Sequence, residues 1–369
     1  MRIKLLLSLL VAPVLMWSQS TTETQLNNLA PPSSPAFVLM DISPSSVYTP
    51  ASIKALSLQV LNGLGGGNEN GIPKNFAAEI VPFWYTNPKD MNFLTYHNLR
   101  KSDASNAGVD GYDSQNVFGD IFKRASISFA YMDDTFEVFE TPQNFISVGA
   151  RTTLVKMLRK QDIKNVISKY KNYDQFIKDF VGDPNNSIAD LQTSADFKRV
   201  YDELNQAINI KPLLTVDLAL AYSTLLNNND SNFSDTLGRY GAWLSTDLAL
   251  GFANNGNNYI HLYSVARYLK DGLNIDANNQ LFNTETFDFG GKLEIEINKL
   301  SIGYEYLTRE GDTDEYRSIG TVRYQVSKAI TLTGGFGKNF KSGDDTISLL
   351  GLKWGINTGE GGLSVPSPN

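Results

Sequence analysis

Residues 287–309 read FDFGGKLEIEINKLSIGYEYLTR, and polar and apolar side chains alternate along both halves of this stretch. Successive side chains of a β-strand point to opposite sides of the sheet, so each half predicts a strand with two unlike faces. The interruption at Asn298-Lys299 predicts a very tight turn between the strands. In the first half the apolar face carries Phe287, Phe289, Leu293, Ile295 and Ile297, and the opposite face carries Asp288, Lys292, Glu294 and Glu296.

The same alternation recurs along most of the chain from about residue 77 onward. It is clear in LLTVDLALAYST (213–224), RYGAWLSTDLALGF (239–252) and YRSIGTVRYQV (316–326), and other segments follow it less strictly. We count about eleven such segments, most of them about nine to thirteen residues long, whereas strands of soluble proteins usually have about five or six. Tilted strands of roughly nine to eleven residues with one apolar face are what a bilayer-spanning barrel requires.

The predicted fold is therefore all-β, an antiparallel transmembrane β-barrel of about 12 strands over residues 77–357. Eleven strands would be an odd number, and bacterial barrels normally have an even one, so we expect a further strand within residues 91–100. A soluble protein with two packed sheets stays open as an alternative, because alternation does not say what covers the apolar face.

The stretch ITLTGGFGKNF (330–340) could instead suggest a phosphate-binding loop, since glycines precede a lysine. Such a loop needs G-x-x-x-x-G-K-[ST], in which backbone N–H groups wrap the phosphates. Here Leu332 replaces the first glycine and Asn339 replaces the hydroxyl residue. The alternation along this stretch favours one more strand.

Residues 156–210 interrupt the alternating pattern with a charged segment. Its apolar residues recur at helical spacing, first at Ile163, Val166, Ile167 and Tyr170 and later at Phe197, Val200, Tyr201 and Leu204. The segment predicts a helical insertion of two helices separated at Gly182 to Pro184. Counting strands back from residue 357 places the insertion at the same end of the barrel as short turns such as Asn298-Lys299. That end is periplasmic in such barrels, yet long insertions usually face outward. We leave its side of the membrane open.

The amino-terminal residues predict export. Arg2 and Lys4 precede an apolar stretch and then small polar residues, which is typical of a signal peptide over residues 1–20. Residues 21–35 have the composition of a flexible linker, and residues 36–72 predict a small amino-terminal element, periplasmic and plug-like. Residues 358–369 are expected to form a carboxy-terminal tail.

The polar faces of the predicted strands supply the candidate site. Charges of both signs are expected to line the barrel lumen, where they could pair with one another or select a small polar or anionic solute. These candidate lumen-lining residues are Asp217, Asp247, Arg267, Lys292, Glu294, Glu296, Glu305, Arg309, Arg317 and Arg323.

No catalytic, cofactor-binding or metal-binding residue is predicted. The two histidines are His97 and His261, and the odd spacing in HLYS puts His261 and Ser264 on opposite faces of a strand. An Asp/His pairing across strands is not tested by the pattern. The formal net charge of −7, with acids and bases interspersed, disfavours a general nucleic-acid role.

With its signal-like start, the residues WSQS (17–20) and the alternating strands, the chain resembles outer-membrane β-barrel proteins of Gram-negative bacteria, in the style of the Bacteroidota. The resemblance covers residues 1–20 and roughly 77–357. It implies the cell outer membrane as location and contact with outer-membrane lipid, and the family members it resembles have no assigned function. From the predicted lumen we expect a pore or facilitator for a small polar solute, without a cofactor. The alternative functions are a non-conducting scaffold or anchor for an envelope protein partner, and an outer-membrane hydrolase.

Overall fold

The alternating segments form long strands in the computed structural model. The strand bounds are β1 Phe76–Ile80, β2 Leu99–Lys101, β3 Tyr112–Gln115, β4 Ser126–Asp134, β5 Gln143–Met157, β6 Leu214–Leu225, β7 Gly238–Gly251, β8 Asn258–Ile275, β9 Leu281–Ile297, β10 Leu300–Glu310, β11 Glu315–Ser327, β12 Ile330–Lys338 and β13 Thr346–Trp354. One antiparallel sheet of eleven strands has the order β1-β4-β5-β6-β7-β8-β9-β10-β11-β12-β13, and β2 pairs with β3 in a second sheet. Consecutive strands are thus neighbours almost throughout.

The structure describes only part of the chain. The described residues are 35–39, 76–85, 93–101, 112–134, 143–184, 187, 191, 193–208, 210–225, 238–252, 258–275, 281–311, 315–327, 330–338 and 346–354. The predicted signal peptide, nearly all of the linker, most of the 36–72 element and the carboxy-terminal tail lie outside them.

Each of the eleven alternating segments contributes a strand to the large sheet, although in the first, residues 77–86, the strand ends at Ile80 and Pro82–Tyr85 form a 3-10 helix. The strand interpretation of residues 330–338 is confirmed. The described residues place eleven of the expected total of about twelve strands in the large sheet, and the further strand expected within residues 91–100 does not join it. Residues Phe93–Tyr96 form a short helix, α2, and the following β2 belongs to the small sheet. Among the described residues β1 and β13 are the sheet edges and do not pair with each other, so closure into a barrel stays a prediction.

The two faces of the large sheet differ sharply in exposure. On the apolar face, Ile302, Leu293 and Phe336 are 54%, 52% and 66% exposed, and so are many of their neighbours on the same face to a similar degree. On the opposite face, which we call the charged face, Arg317 and Glu305 are 0% and 1% exposed. Polar side chains are therefore buried where apolar ones are exposed, the reverse of a water-soluble sheet.

Tight turns join the strands at one end of the sheet, which we call the turn end. Asn298 has a φ of 53°, in the left-handed region that asparagine tolerates, and Ile297 pairs directly with Leu300 across the turn. The predicted turn at Asn298-Lys299 is confirmed.

A helical insertion extends from the turn end between β5 and β6, as predicted. Helices α4 and α5 span Lys160–Gly182 and Ala195–Ile208. They pack on α2 and β2 through one apolar cluster, whose buried members are Leu94, Leu99, Ile163, Val166, Ile167 and Ala207. Lys123, at the end of α3 (Asp120–Lys123), donates hydrogen bonds to the carbonyls of Thr95 and Tyr96. The described residues between 93 and 124 and between 158 and 208 thus share one packed unit, which we call the end cap.

The described part of the amino-terminal element is helix α1, Pro35–Leu39. It lies against the charged-face side of β4 to β7, where small side chains leave room for it. The backbone N–H of Ala36 donates to Ser128 Oγ at 3.2 Å, Arg239 donates to the carbonyl of Leu39 at 3.4 Å, and Leu39 packs on a cluster that includes Trp243. The sheet therefore has a small-residue wall that seats α1 and, on β8 to β11, a charged wall.

No helix in the described part of the chain is long and apolar enough to cross a membrane.

Gly149 controls the seat of α1, because a Cβ there would lie 2.6 Å from the Ala36 nitrogen and 3.0 Å from Pro35 Cβ. We predict that Gly149→Leu displaces α1. The chain has no cysteine, so Leu39→Cys provides a unique reporter of this buried position. Its maleimide labelling should be at least tenfold faster in the Gly149→Leu background. Gly182→Leu is the matched control, since a Cβ there meets nothing within 4 Å. Equal labelling rates in the two backgrounds would contradict the position of α1 against Gly149.

His97 makes the end cap sensitive to acid. Burial, with Lys156 and Arg124 nearby, lowers its pKa to about 4, and Nε2 is buried with no hydrogen-bond partner in the described residues. Asp120, which also faces the ring, acts in the opposite direction, and Lys123 adds to the lowering. Between about pH 4 and pH 6.5, His97 therefore binds a proton in the unfolded chain but not in the folded cap.

We predict that the free energy of unfolding of the cap is unaffected by His97 above about pH 6.5 and falls as the pH drops toward 4. The loss between pH 7.5 and 5 is about 2 kcal/mol. His97→Phe, which keeps the ring contact with Phe93, should remove this part of the slope, and the exposed variant Lys178→Gln should keep it. Urea titrations followed by helical circular dichroism measure it, and identical slopes in wild type and His97→Phe would refute the assignment.

Candidate functional site

The structure places all ten sequence-predicted residues on the charged face of the large sheet. Register shows this directly, since cross-strand partners share a face. Glu305 pairs with Lys292, Arg309 with Asp288, and Glu294 with His261. Seven of the ten make an ion pair with a strand neighbour on the same face. Glu296 pairs with Lys211, which follows α5, and Asp247 contacts the ring of His261. The tenth, Asp217, accepts a hydrogen bond from Thr153 at 2.6 Å. Whether this face lines a lumen stays a prediction.

Asp288 is the centre of the first network. It lies on β9 between Arg267 on β8 and Arg309 on β10, and both arginines are its direct register partners. Arg309 Nε donates to Asp288 Oδ1 at 2.7 Å, and Arg267 Nε donates to Oδ2 at 2.7 Å. Two arginines on one carboxylate leave an excess of positive charge, with Asp288 only 2% exposed.

Arg317 and Glu305 form the most buried pair. Arg317 Nε lies 3.0 Å from Glu305 Oε1, with side-chain exposures of 0% and 1%. No guanidinium nitrogen of Arg317 has a hydrogen-bond partner of good geometry in the described residues. Burying an ion without full hydrogen bonding is costly, and the carboxylate of Glu305 offsets part of the cost of burying the Arg317 guanidinium.

A second network lies nearer the turn end. Lys292 and Arg323 both contact the carboxylate of Glu294, which is 1% exposed. Arg323 is on β11, two strands away from Glu294 on β9, so its side chain reaches across Gly303 of β10. This network is linked to the next through the ring of Tyr263, which lies 5.7 Å from Lys292 Nζ.

Lys211, which the sequence reasoning missed, completes a third network. It lies between α5 and β6, and its ammonium contacts Glu296 and approaches His261 Nε2 to 3.4 Å. His261 Nδ1 lies 2.9 Å from Asp247 Oδ1, and its ring stacks on Tyr263 at 5.3 Å between centroids. Both ring nitrogens of the only histidine on a main strand are therefore engaged by charged groups.

The insertion is thereby tied to the charged face. Arg159, just before α4, donates to the carbonyl of Ala249 on β7 and lies 5.9 Å from the ring of Tyr259. Lys211 Nζ lies 5.1 Å from the same ring. Neither Arg159 nor Lys211 is within an alternating segment, so the alternation of side chains could not predict that they reach the charged face. Their only sequence signal is a position at the ends of the helical insertion.

Glu79 forms a further polar cluster that the sequence reasoning missed. It accepts hydrogen bonds from Ser126 Oγ at 2.5 Å and from Arg151 Nε at 3.0 Å, which joins β1, β4 and β5. Glu79 lies in the five-residue strand FAAEI. Alternation over so few residues does not show which face of the sheet Glu79 is on.

The histidine chemistry that the sequence weighed is now located. Ser264 and Thr246 hydroxyls lie 2.7 Å apart on the opposite face, so the pairing of Ser264 with His261 fails as predicted. The Asp/His alternative does form, between Asp247 and His261, but Lys211 and Glu296 hold the other ring nitrogen. Within the described residues no group of three or more histidine and carboxylate side chains is placed to hold a metal ion.

No protein-family model matches this chain, and a search of curated proteins finds no significant match.

The Arg317–Glu305 pair predicts strong coupling. Arg317→Met and Glu305→Leu should each lower the free energy of unfolding by about 3–5 kcal/mol, because each leaves a buried charge unpaired. The double variant should lose less than either single variant, since both charges are then gone. Urea denaturation of the four proteins measures the coupling. Lys178→Met with Asp174→Leu, at an exposed pair on α4, is the control and should change stability by less than about 1 kcal/mol; additive losses at Arg317 and Glu305 would contradict the assignment.

Proposed function

We propose that this protein is an outer-membrane β-barrel whose charged interior passes a small polar solute. The observation that carries the proposal is the inverted exposure of the large sheet, with its apolar face outward and its charged face buried. An extensive exposed apolar surface in water is unfavourable and marks contact with lipid or another protein. The hydrocarbon of a bilayer covers such a face without that cost.

Strand geometry supports a membrane-spanning barrel over two packed soluble sheets. Packed sheets would bury the apolar faces against each other, whereas Leu293, Ile302 and Phe336 lie open. The strands β6 to β11 have 11 to 18 residues, and a tilted strand needs roughly nine to eleven to cross the hydrocarbon. Closing the sheet would also satisfy the edge strands β1 and β13, which a bilayer cannot leave unpaired.

The interior suits passage of a small solute. Paired charges make the charged wall polar but nearly neutral, so it does not repel either sign strongly. On the facing small-residue wall, α1 occupies space next to Ser128 and Gly149. We interpret α1 as a plug-like segment that narrows the passage. A barrel of about eleven or twelve strands encloses only a modest lumen, which restricts the solute to small molecules.

A non-conducting envelope scaffold is the second candidate, and the end cap favours it. Far from the apolar cluster, α4 and α5 meet through aromatic contacts among Tyr173, Phe176 and Phe197, and Val181 at the distal end is 69% exposed. Such an apolar end suits a protein partner. Conductance distinguishes the two candidates.

We predict heat-modifiable electrophoretic migration of the full chain and release from membranes only by detergent. In planar bilayers the wild type should show small conductance, because α1 narrows the passage. Replacing residues 35–39 by five Gly/Ser residues should raise the conductance several-fold. The same replacement at residues 22–26, which leaves α1 unchanged, is the control. Extraction by aqueous buffer would overturn the barrel, and a heat-modifiable protein without conductance in any variant would favour the scaffold.

A further inference from the structure

A cleft opens on the charged face at the turn end of β9, β10 and β11. Its volume is about 260 Å³, and its lining includes Lys211, Lys299, Ser301 and Arg323. Ligand sites for small molecules start at roughly 300 Å³, so this cleft has the scale of a solute of a few heavy atoms or one acidic group of a larger one. The segment that follows α5 contributes Lys211, so the insertion forms part of one wall.

The carboxylates of the cleft are already neutralised. Glu296 contacts Lys211, and His261 Nε2 lies 3.6 Å from its Oε2. Glu294 contacts both Lys292 and Arg323. Because each acid has two cationic or donor partners, neither is left to attract a cation. The lining itself has three cations, Lys211, Lys299 and Arg323, for two carboxylates.

Several donors of the cleft have no partner within the described residues. Arg323 Nε is buried without a hydrogen bond, and its side chain is 42% exposed overall, so the guanidinium spans interior and cleft. The ammonium of Lys299 makes no ion pair there, and only its backbone carbonyl is used, by the N–H of Gln325 at 2.8 Å. Ser301 and Tyr263, which both have hydroxyl groups, also line the cleft.

From this excess of cations over carboxylates and the unpaired Arg323 Nε we infer that the cleft is a binding site for a small anion, the carboxylate or phosphate group of the transported solute. The inference rests on the proposed function for its biological setting but not for its chemistry. Arg323 and Lys299 supply charge-assisted hydrogen bonds, and Ser301 and Tyr263 orient the oxygens. The paired Glu294 and Glu296 hold the two long cations Arg323 and Lys211 in place.

Calorimetric titration of the full chain in a non-ionic detergent at low ionic strength tests the site. Inorganic phosphate and succinate are the anionic probes, and sucrose is the neutral one. We expect saturable binding of phosphate or succinate, weakened by added salt, and none of sucrose. Arg323→Gln and Lys299→Gln should each weaken the binding about tenfold. Lys299 lies in an exposed turn, so we expect Lys299→Gln to leave the fold intact. Lys338→Gln, a cation over the ring of Tyr316 at the other end of the sheet, is the matched control and should bind as wild type.

The outcomes separate this site from the pore. Anion binding without bilayer conductance would keep the cleft and reject passage of solute. Conductance without binding, or binding unchanged in both Arg323→Gln and Lys299→Gln, would overturn the cleft while leaving the pore. Binding of sucrose in preference to both anions would also overturn it. Phosphate and succinate compared side by side show which acidic group the cleft prefers.

Discussion

Pairing of opposite charges between neighbouring strands is the interaction on which the rest of this structure depends. A buried ion is costly unless a partner lies within contact distance, and the register supplies that partner directly, as Arg267 and Arg309 flank Asp288. A slip of one residue would turn every side chain to the other face and put these charges on the apolar side. The charged face thereby fixes the register and orients the apolar face outward.

The two walls of the buried face have different tasks that follow from side-chain size. Glycine, alanine and serine on β4 to β7 let a helix approach the backbone, which is how α1 reaches Ser128. Long charged side chains on β8 to β11 fill the space in front of their own strands. In the barrel that we propose, a passage between the two walls would be narrow and polar, and its lining at the turn end has three cations, Lys211, Lys299 and Arg323, for two carboxylates. Selectivity is therefore expected at that end and not along the whole wall.

The period of two predicted the strands well because side-chain direction in a strand is a local property. It located a strand in each of the eleven segments. It also assigned the ten charged residues, such as Glu294 and Arg317, to the same face of the sheet. It could not predict Lys211 or Arg159, because their side chains reach the charged face from outside any strand. Residues 93–101 do not supply a further strand of the large sheet for a related reason: Leu94 and Leu99 pack in the apolar cluster of α4 and α5, a long-range contact that no local pattern reveals.

A membrane-spanning barrel requires the apolar face of the large sheet to contact lipid. A nitroxide scan of residues 287–297 in reconstituted lipid vesicles measures this most directly, using collisions with oxygen, which partitions into hydrocarbon, and with a water-soluble nickel chelate. If the apolar face contacts lipid, oxygen contact should peak at the positions of Phe287, Phe289, Leu293 and Ile295, with little nickel contact there, and the order should be reversed at Asp288, Lys292 and Glu294. Absence of a period of two, or nickel contact at the apolar positions equal to that of an exposed turn, would contradict it.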